Sequence, residues 1–272
     1  MALTDFQRAV CRLLADHRIA SGESYVAGGV ALNELMATPR TSRDIDLFHD
    51  TDEALEVSWQ ADRYLLEEHR FAVRVIRERP SFVEAEVGKE GERVLMEWAR
   101  DSAFRFFPLV RHPDLGLALH PFDLATNKVL ALVGRLEVRD WVDLIYASDR
   151  IQPLGYLAWA ACGKDPGFSP LSILQEASRT ARYSADEVRT LSFAGEPPDA
   201  ADLARRWHAM LAMAPEVVDA LPPAELGRCV LDADGRLFTG TPDALQTALT
   251  RGRLVFHPGR IRGALPQLKH AG

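Results

Sequence analysis

Residues 24–50 read SYVAGGVALNELMATPRTSRDIDLFHD, and their order decides the fold. A short apolar strand, residues 24–27, is stopped by Gly28 and Gly29. A helix leaves the glycines at once in VALNELMA, and Pro39 with the polar segment Thr41–Arg43 ends it. DIDLFHD is the next strand, in which Asp44 and Asp46 stand two apart and point to one face. Glycines let a backbone approach a ligand closely, and a helix N-terminus offers free N–H groups and a positive dipole end. The strand–Gly-Gly–helix turn is therefore a seat for phosphate. Two carboxylates so close repel each other unless a cation lies between them. Magnesium, or manganese in its place, is the natural ion, because it takes hard oxygen ligands and is shared with substrate phosphates.

Working outward, residues 4–18 read as an amphipathic helix with Thr4 as its cap, and Phe6, Val10, Leu13 and Leu14 recur at helical spacing. Residues 52–69 form a second helix. FAVRVIRER (71–79) alternates as a strand, and SFVEAEVGKEGERVLMEWARD (81–101) reads as two antiparallel strands joined through Gly88–Gly91. Glu97 lies in the second of these, inside an otherwise apolar run where an acid needs a reason. It is the candidate third acid, with Met96 and Trp98 facing away from it; Asp101 and Glu86 compete for the role.

Two helices follow, HPFDLATNKVLALVGR (120–135) and VRDWVDLIYAS (138–148). After Pro153 the chain turns into Ala/Leu/Arg-rich helical segments broken by Pro and Gly. From Arg228 it changes again: CVLDADGRLFTG carries the Asp-Gly of a tight hairpin, then come a Thr-capped helix and a short strand. The expected division is 1–152, 153–227 and 228–272. The fold class is α/β (α+β by some conventions): a small mixed sheet with flanking helices, followed by a mainly helical C-terminal region.

The composition agrees with a folded, soluble chain. Of 272 residues, 47% are hydrophobic and 26% charged, which excludes a disordered chain, a fibre and a disulfide-stapled miniprotein. The 32 basic residues against 39 acidic ones give a net charge of −7, so any nucleic-acid contact must come from a local patch. Cys11, Cys162 and Cys229 are far apart and odd in number, as free thiols in a reducing cytoplasm are. No apolar run suits a membrane span, and the N-terminus is too often interrupted by charge for a signal peptide. The histidines, among them His49, His112, His120, His208 and His257, lack metal-ligand spacing and are expected at the surface or at caps. Trp98, Trp141, Trp159 and Trp207 are expected in the core. GxSxG, GxxxxGK[ST] and GxGxxG are absent.

Taken singly, Gly-Gly is a tight turn and Asp-x-Asp an exposed strand pair; together with a strand acid they are specific. The set resembles the nucleotidyltransferase (polymerase-beta-like) superfamily and, within it, the AbiEii-type toxins of bacterial toxin–antitoxin and abortive-infection systems, including the MenT-type toxins. The resemblance lies in GGVALNELMATPRTSRDIDLF (28–48) and in DLATNKVLALVGRLEVRDWVDL (123–144), and spans roughly residues 20–150. It implies that Gly28 and Gly29 shape a phosphate turn, that Asp44, Asp46 and Glu97 hold metal, that Lys128 contacts nucleotide phosphate, and that Asp140 completes the site. Relatives more often have Ser after the first Gly; Gly29 lacks that hydroxyl, and Ser42 is the replacement candidate. Arg43 pairs with the acids or with phosphate. Against these roles stand a solvated helix face for Lys128 and Arg135, and N-capping for Asp140.

The implied reaction moves a nucleoside monophosphate from an NTP to an acceptor, with a cognate antitoxin as a partner. The acceptor is a tRNA 3′ end, a protein side chain, or a small molecule such as an antibiotic; a non-catalytic binding module is the rival reading. A tRNA acceptor requires a basic groove. Arg100, Arg105, Arg111, Arg135 and Arg139 are the nearest candidates, extended by Arg205, Arg206, Arg251, Arg253, Arg260, Arg262 and Lys269.

Overall fold

Thr4 opens the first helix with a reciprocal cap: its hydroxyl accepts from the Gln7 N–H (3.1 Å), and the Gln7 side chain accepts from the Thr4 N–H (2.9 Å). Gly22, at φ 68°, ends that helix. The computed structural model describes residues 3–179 and 183–267. In chain order the elements are α1 (Asp5–Ser21), β1 (Ser24–Val26), α2 (Gly28–Met36), β2 (Arg40–Thr41), β3 (Asp44–His49), α3 (Asp52–Glu68), β4 (Ala72–Arg79), β5 (Phe82–Lys89), β6 (Glu92–Arg100), β7 (Phe104–Arg105), β8 (Val110–His112) and β9 (Gly116–Ala118). Then come α4 (Pro121–Arg135), α5 (Val138–Arg150), α6 (Leu154–Ala161), α7 (Pro170–Ser178), α8 (Ala185–Arg189), β10 (Ser192–Phe193), α9 (Ala200–Ala220), β11 (Arg228–Asp232), α10 (Pro242–Thr250), β12 (Leu254–Pro258) and β13 (Arg260–Ile261).

The chain divides into two compact units. The first comprises Met1–Ala103, Pro108–His120 and Ser192–Gly195. Its centre is a seven-stranded mixed sheet of order β4-β5-β6-β3-β1-β9-β8. β3 runs parallel to β6 and β1 parallel to β9, while the other neighbours are antiparallel. Alternation sets the faces. Ile45, Leu47 and His49 of β3 and Val94, Met96 and Trp98 of β6 are buried beneath α1 and α3. Trp59 of α3 lies against Trp98, ring centroids 4.7 Å apart, and each such buried aromatic contributes roughly 1.5–3 kcal/mol. Asp44, Asp46, Phe48, Leu95 and Glu97 take the other face. The expected helices and strands thus occur here, and the short pairings were not legible in the sequence: β8–β9 closing one sheet edge, and β10 on β2.

The second unit comprises Phe104–Phe107, Pro121–Leu191 and Glu196–Gly272. α4 and α5 pack with α6 and α7 rather than with the residues preceding them, so this line of division falls before residue 121 and not at 152. Asp123, fully buried, accepts from the N–H groups of Phe106 (2.8 Å) and Phe107 (3.0 Å) and pairs with Lys164 (2.9 Å).

The C-terminal stretch differs in part from its sequence reading. The Asp-Gly turn closes a short hairpin: the Asp232 N–H donates to Arg236 O (2.8 Å), the Phe238 N–H to Val230 O (3.1 Å), and Leu231 bridges Leu237. β11 also pairs, over its whole length, with β12, Arg228 opposite Pro258 through Asp232 opposite Leu254. Residues 228–267 do not stand apart: the buried Gln152 amide donates to Val230 O and Phe238 O, both at 2.8 Å, and Tyr156 donates to Gly240 O. His257 is buried, its Nε2 2.8 Å from Phe106 O, and His49 is fully buried, which corrects the surface roles expected for both. The four tryptophans are buried as expected. So are all three cysteines; burial pushes Cys11 up to about 11 and Cys162 up to about 12. Among the described residues no helix is long and apolar enough to cross a membrane.

Candidate active site

The acid face of the first unit is built by two neighbouring strands and one loop. β3 and β6 are parallel and in register, Asp44 beside Leu95 and Asp46 beside Glu97. Side chains of such partners leave the sheet on the same side, so Asp44, Asp46 and Glu97 share one face while Met96 and Trp98, both fully buried, take the other. The register also places Glu84 of β5 opposite Glu97, a neighbour the sequence did not single out.

α2 begins beside these acids. The Ala27 N–H donates to Asp46 O (2.9 Å), which brings Gly28 against the Asp46 side chain. Gly28 has φ +62°, and a Cβ there would coincide with the Asp46 carboxylate. The glycine is thus required both by its backbone and by the space that the carboxylate fills. At Gly29 a Cβ would lie 2.5 Å from Arg40 Nη2 and 3.2 Å from Ser42 Oγ. Ser42 thus lies next to the space above Gly29, and its Oγ donates to Asp44 Oδ1 at 2.7 Å. The loop is tied down from α1, whose buried Gln7 amide donates to Ser42 O (2.9 Å). Asn33 of α2 donates back to Gly29 O at 2.8 Å and accepts from Thr38.

Arg40, almost fully buried against Gly29, is a site residue that sequence reasoning missed. Its signal was present, a cation in the Pro39–Arg43 loop, but only the fold separates it from Arg43. Arg43 is more exposed and reaches Ser192 Oγ at 3.5 Å. Among the described residues no three His, Cys, Asp or Glu side chains close on one point tightly enough to hold a metal ion as they stand. The donor chemistry nonetheless fits a hard divalent cation: carboxylate oxygens on one face, beside a side-chain-free turn.

Lys128 and Asp140 belong to the second unit. Lys128 Nζ lies 2.9 Å from Asp140 Oδ1 and 3.1 Å from Asp143 Oδ2, with its side chain only 8% exposed. Arg135 grips the same Asp140 through Nε (2.6 Å) and Nη2 (2.9 Å). Burial pushes the Asp140 carboxyl up, but the Arg135 hydrogen bonds and the Lys128 charge outweigh it and hold it below its ordinary value. Lys128 is therefore not on a solvated helix face, and Asp140 does not cap α5, whose cap residue is Glu137. The pairs occupy two of the ammonium's three donors and leave one for any other acceptor.

Half of the basic residues named for a groove are paired with carboxylates or buried, Arg135 on Asp140 among them. Arg100 has the parity of Trp98, on the face away from the acids, and pairs with Asp52 (3.4 Å). Arg105 is buried. Arg139 pairs with Glu137 (2.6 Å), Arg205 with Asp202 (3.1 Å) and Arg206 with Asp149. Arg111 is exposed, Arg251, Arg253, Arg260 and Arg262 lie in the second unit, and Lys269 lies outside the described residues.

The sequence matches the family described as nucleotidyl transferase AbiEii toxin, type IV TA system, over residues 12–226, well past the 20–150 stretch that carries the motifs. No curated protein matches. Among solved structures, MenT4, a nucleotidyltransferase toxin from Mycobacterium tuberculosis, is similar at 19% identity and TM-score 0.53, over 79% of this chain and 83% of that one. JHP933 from Helicobacter pylori is similar at 13% identity and TM-score 0.50, over 80% of this chain and 95% of that one. At such identities the likeness is one of fold.

Proposed function

The chain belongs to the AbiEii nucleotidyltransferase toxin family, and from that premise we propose that it transfers a nucleoside monophosphate from an NTP to an acceptor hydroxyl, with the acid face of the first unit as its active site. The observation that carries this reading is the lateral pairing of Asp46 with Glu97 beside Gly28, whose missing side chain is the space the Asp46 carboxylate fills. A divalent cation, magnesium or manganese, would be held by Asp44 and Asp46 with Glu97; when bound it neutralises triphosphate charge and acidifies a hydroxyl.

The chain's own residues do the rest. The Ser42 hydroxyl, donating to Asp44, fixes that carboxylate's orientation. The Gly28–Gly29 turn and the first N–H groups of α2 receive phosphate oxygens, which the helix dipole favours. Arg40 and Arg43 balance the charge that builds on the leaving pyrophosphate. Glu97 either completes the ligand set or accepts the proton of the attacking hydroxyl. Lys128 and Asp140, whose expected roles were phosphate contact and closing acid, form a charged tie between α4 and α5 within the second unit. The family's description implies a cognate antitoxin as partner.

The test is to incubate the full chain with labelled NTPs, magnesium or manganese, and either total tRNA or cell lysate. Label should move to an acceptor and should cease to do so in Asp46→Ala. A product set that survives both Asp44→Ala and Asp46→Ala overturns the assignment.

A further inference from the structure

The open face of the sheet does not end at Glu97. β5 and β4 continue it outward, and their register lines up four residues in a row from the centre to the edge: Asp46, Glu97, Glu84, Arg77. The next row is Phe48, Ala99, Phe82, Arg79, and the one on the other side Asp44, Leu95, Glu86, Arg74. The edge strand β4 thus carries arginine at every row.

A regular strand would not do this. Arg74 and Arg77 are three apart, and period-two alternation would send them to opposite faces. The register of β4 on β5 shifts between Val75 and Arg77, and this bulge at Ile76 turns Arg77 and Arg79 onto the face of Arg74. Bulges bend an edge and re-aim its side chains. Here the effect is to gather three cations on the face that carries the acids. Arg93 of β6 joins them, because it pairs with the same Glu86 carboxylate as Arg74, each at 3.3 Å.

The charges are exposed and weakly held. The side chains of Arg74, Arg77 and Arg93 are 65%, 56% and 69% exposed. Arg77 lies 3.9 Å from Glu84, and Arg79, also exposed, has no ion-pair partner among the described residues. At the edge itself Arg74, Arg77, Arg79 and Arg93 face Glu84 and Glu86, a local positive excess on a chain of net charge −7, while Glu97 and the aspartates lie further in along the rows. Exposed pairs of this kind contribute little to stability, so an incoming phosphate displaces them at low cost. The half-exposed Phe82 ring lies among them, with the Arg77 guanidinium 5.8 Å from its centroid. Cations beside an accessible aromatic on a strand surface are what a single-stranded polynucleotide uses: phosphates on arginine, a base on the ring. A duplex hides its base faces and could use only the charges.

We propose that the β4–β5 edge, through Arg74, Arg77, Arg79, Arg93 and Phe82, binds a single-stranded RNA end and lays it across the sheet toward Asp46. Three strand spacings of about 4.8 Å put Arg77 about 14 Å from Asp46, a span that a short run of extended backbone covers. The inference deepens the transfer reading, on which it depends for what happens at Asp46, but binding is measured without nucleotide or metal, so the two fail separately.

The experiment is fluorescence anisotropy of a labelled single-stranded RNA with a free 3′ hydroxyl, titrated with the full chain at several salt concentrations, beside a duplex of the same length. Wild type should bind the single strand more tightly than the duplex. Arg74→Ala with Arg79→Ala should lower the slope of log affinity against log salt by about 1.4, two phosphates at about 0.7 each. Phe82→Ala should weaken binding about 5- to 150-fold, the worth of one stacked base. Arg79→Lys should keep the slope, and a thermal melt confirms that each variant folds; the arginine variants are exposed and keep the test open should Phe82→Ala unfold. A wild type that binds no RNA, or variants that bind as wild type does, overturns the proposal. Label transfer to a protein or a small molecule without RNA binding would sink it and leave the transferase reading standing.

Discussion

Gly28→Ala is the most discriminating single change. Two costs follow from the geometry. The backbone stands at φ +62°, a left-handed conformation that costs an L-residue about 1–2 kcal/mol. The new methyl would also occupy the position of the Asp46 carboxylate, which must then move by about an ångström or more. The first cost lowers the melting temperature by about 2–8 °C for a protein of this size. The second misplaces a reacting group, and a shift of that order costs about 100-fold in rate. Gly29→Ala is the internal control. Its Cβ meets the far ends of the Arg40 and Ser42 side chains rather than a carboxylate of the proposed metal-binding set, and no positive φ is involved. The assay is label transfer from NTP beside a circular-dichroism melt. Gly28→Ala should lose activity far beyond its loss of stability, and Gly29→Ala should retain more of both. A Gly28→Ala enzyme as active and as stable as wild type would refute the claim that this glycine makes room for Asp46.

Two further outcomes concern stability. Lys128→Met should destabilise the chain by about 3–5 kcal/mol in urea unfolding, because it removes the buried cation that, together with Arg135, pairs with Asp140 and that also pairs with the buried Asp143; a change under about 1 kcal/mol would mean that the Lys128–Asp140–Asp143 cluster is solvated after all. His49 is held neutral, burial pushing it down to about 4 from an ordinary 6.5. A base with a lowered folded value contributes stability that is complete above about pH 6.5 and is lost as pH falls toward 4, about 3 kcal/mol at the end. Urea midpoints at pH 7.5 and pH 4.5 should therefore lie closer together in His49→Leu than in wild type, and equal spacing would contradict the assignment. His17, raised by its hydrogen bond to Asp62, works in the opposite sense: its contribution is present below its ordinary value and lost as pH rises through its raised one.

The helices and long strands were readable in the chain because each is a local pattern. Thr4 with Gln7 announces a capped helix, and Ile45-Asp46-Leu47 announces which residues go in and which go out. The turn glycines and the acid pair were readable for the same reason, since neighbours on one strand keep a fixed geometry wherever the strand lies. The parity of Glu97 against Met96 and Trp98 was likewise local. That Glu97 stands beside Asp46 was not, because the register of two strands about fifty residues apart is set by what the sheet buries on its other face.

The same physics explains the misreadings. The Asp-Gly turn at 234–235 does close a short hairpin, but the longer ladder of β11 is with β12, more than twenty residues away, and that pairing was not legible. The arginines chosen for a groove were chosen by nearness along the chain, whereas pairing with carboxylates and burial decide which cations remain available. Periodicity and capping chemistry were enough to determine the long helices and strands and the acid–glycine motif, and the family likeness came from the resemblance of that motif to a known pattern. Tertiary structure alone decided the row from Asp46 to Arg77, the place of Arg40 against Gly29 and the pairing of Lys128. Each of these depends on strand register, a bulge or a desolvated charge, and none of those is a property of residues adjacent in sequence.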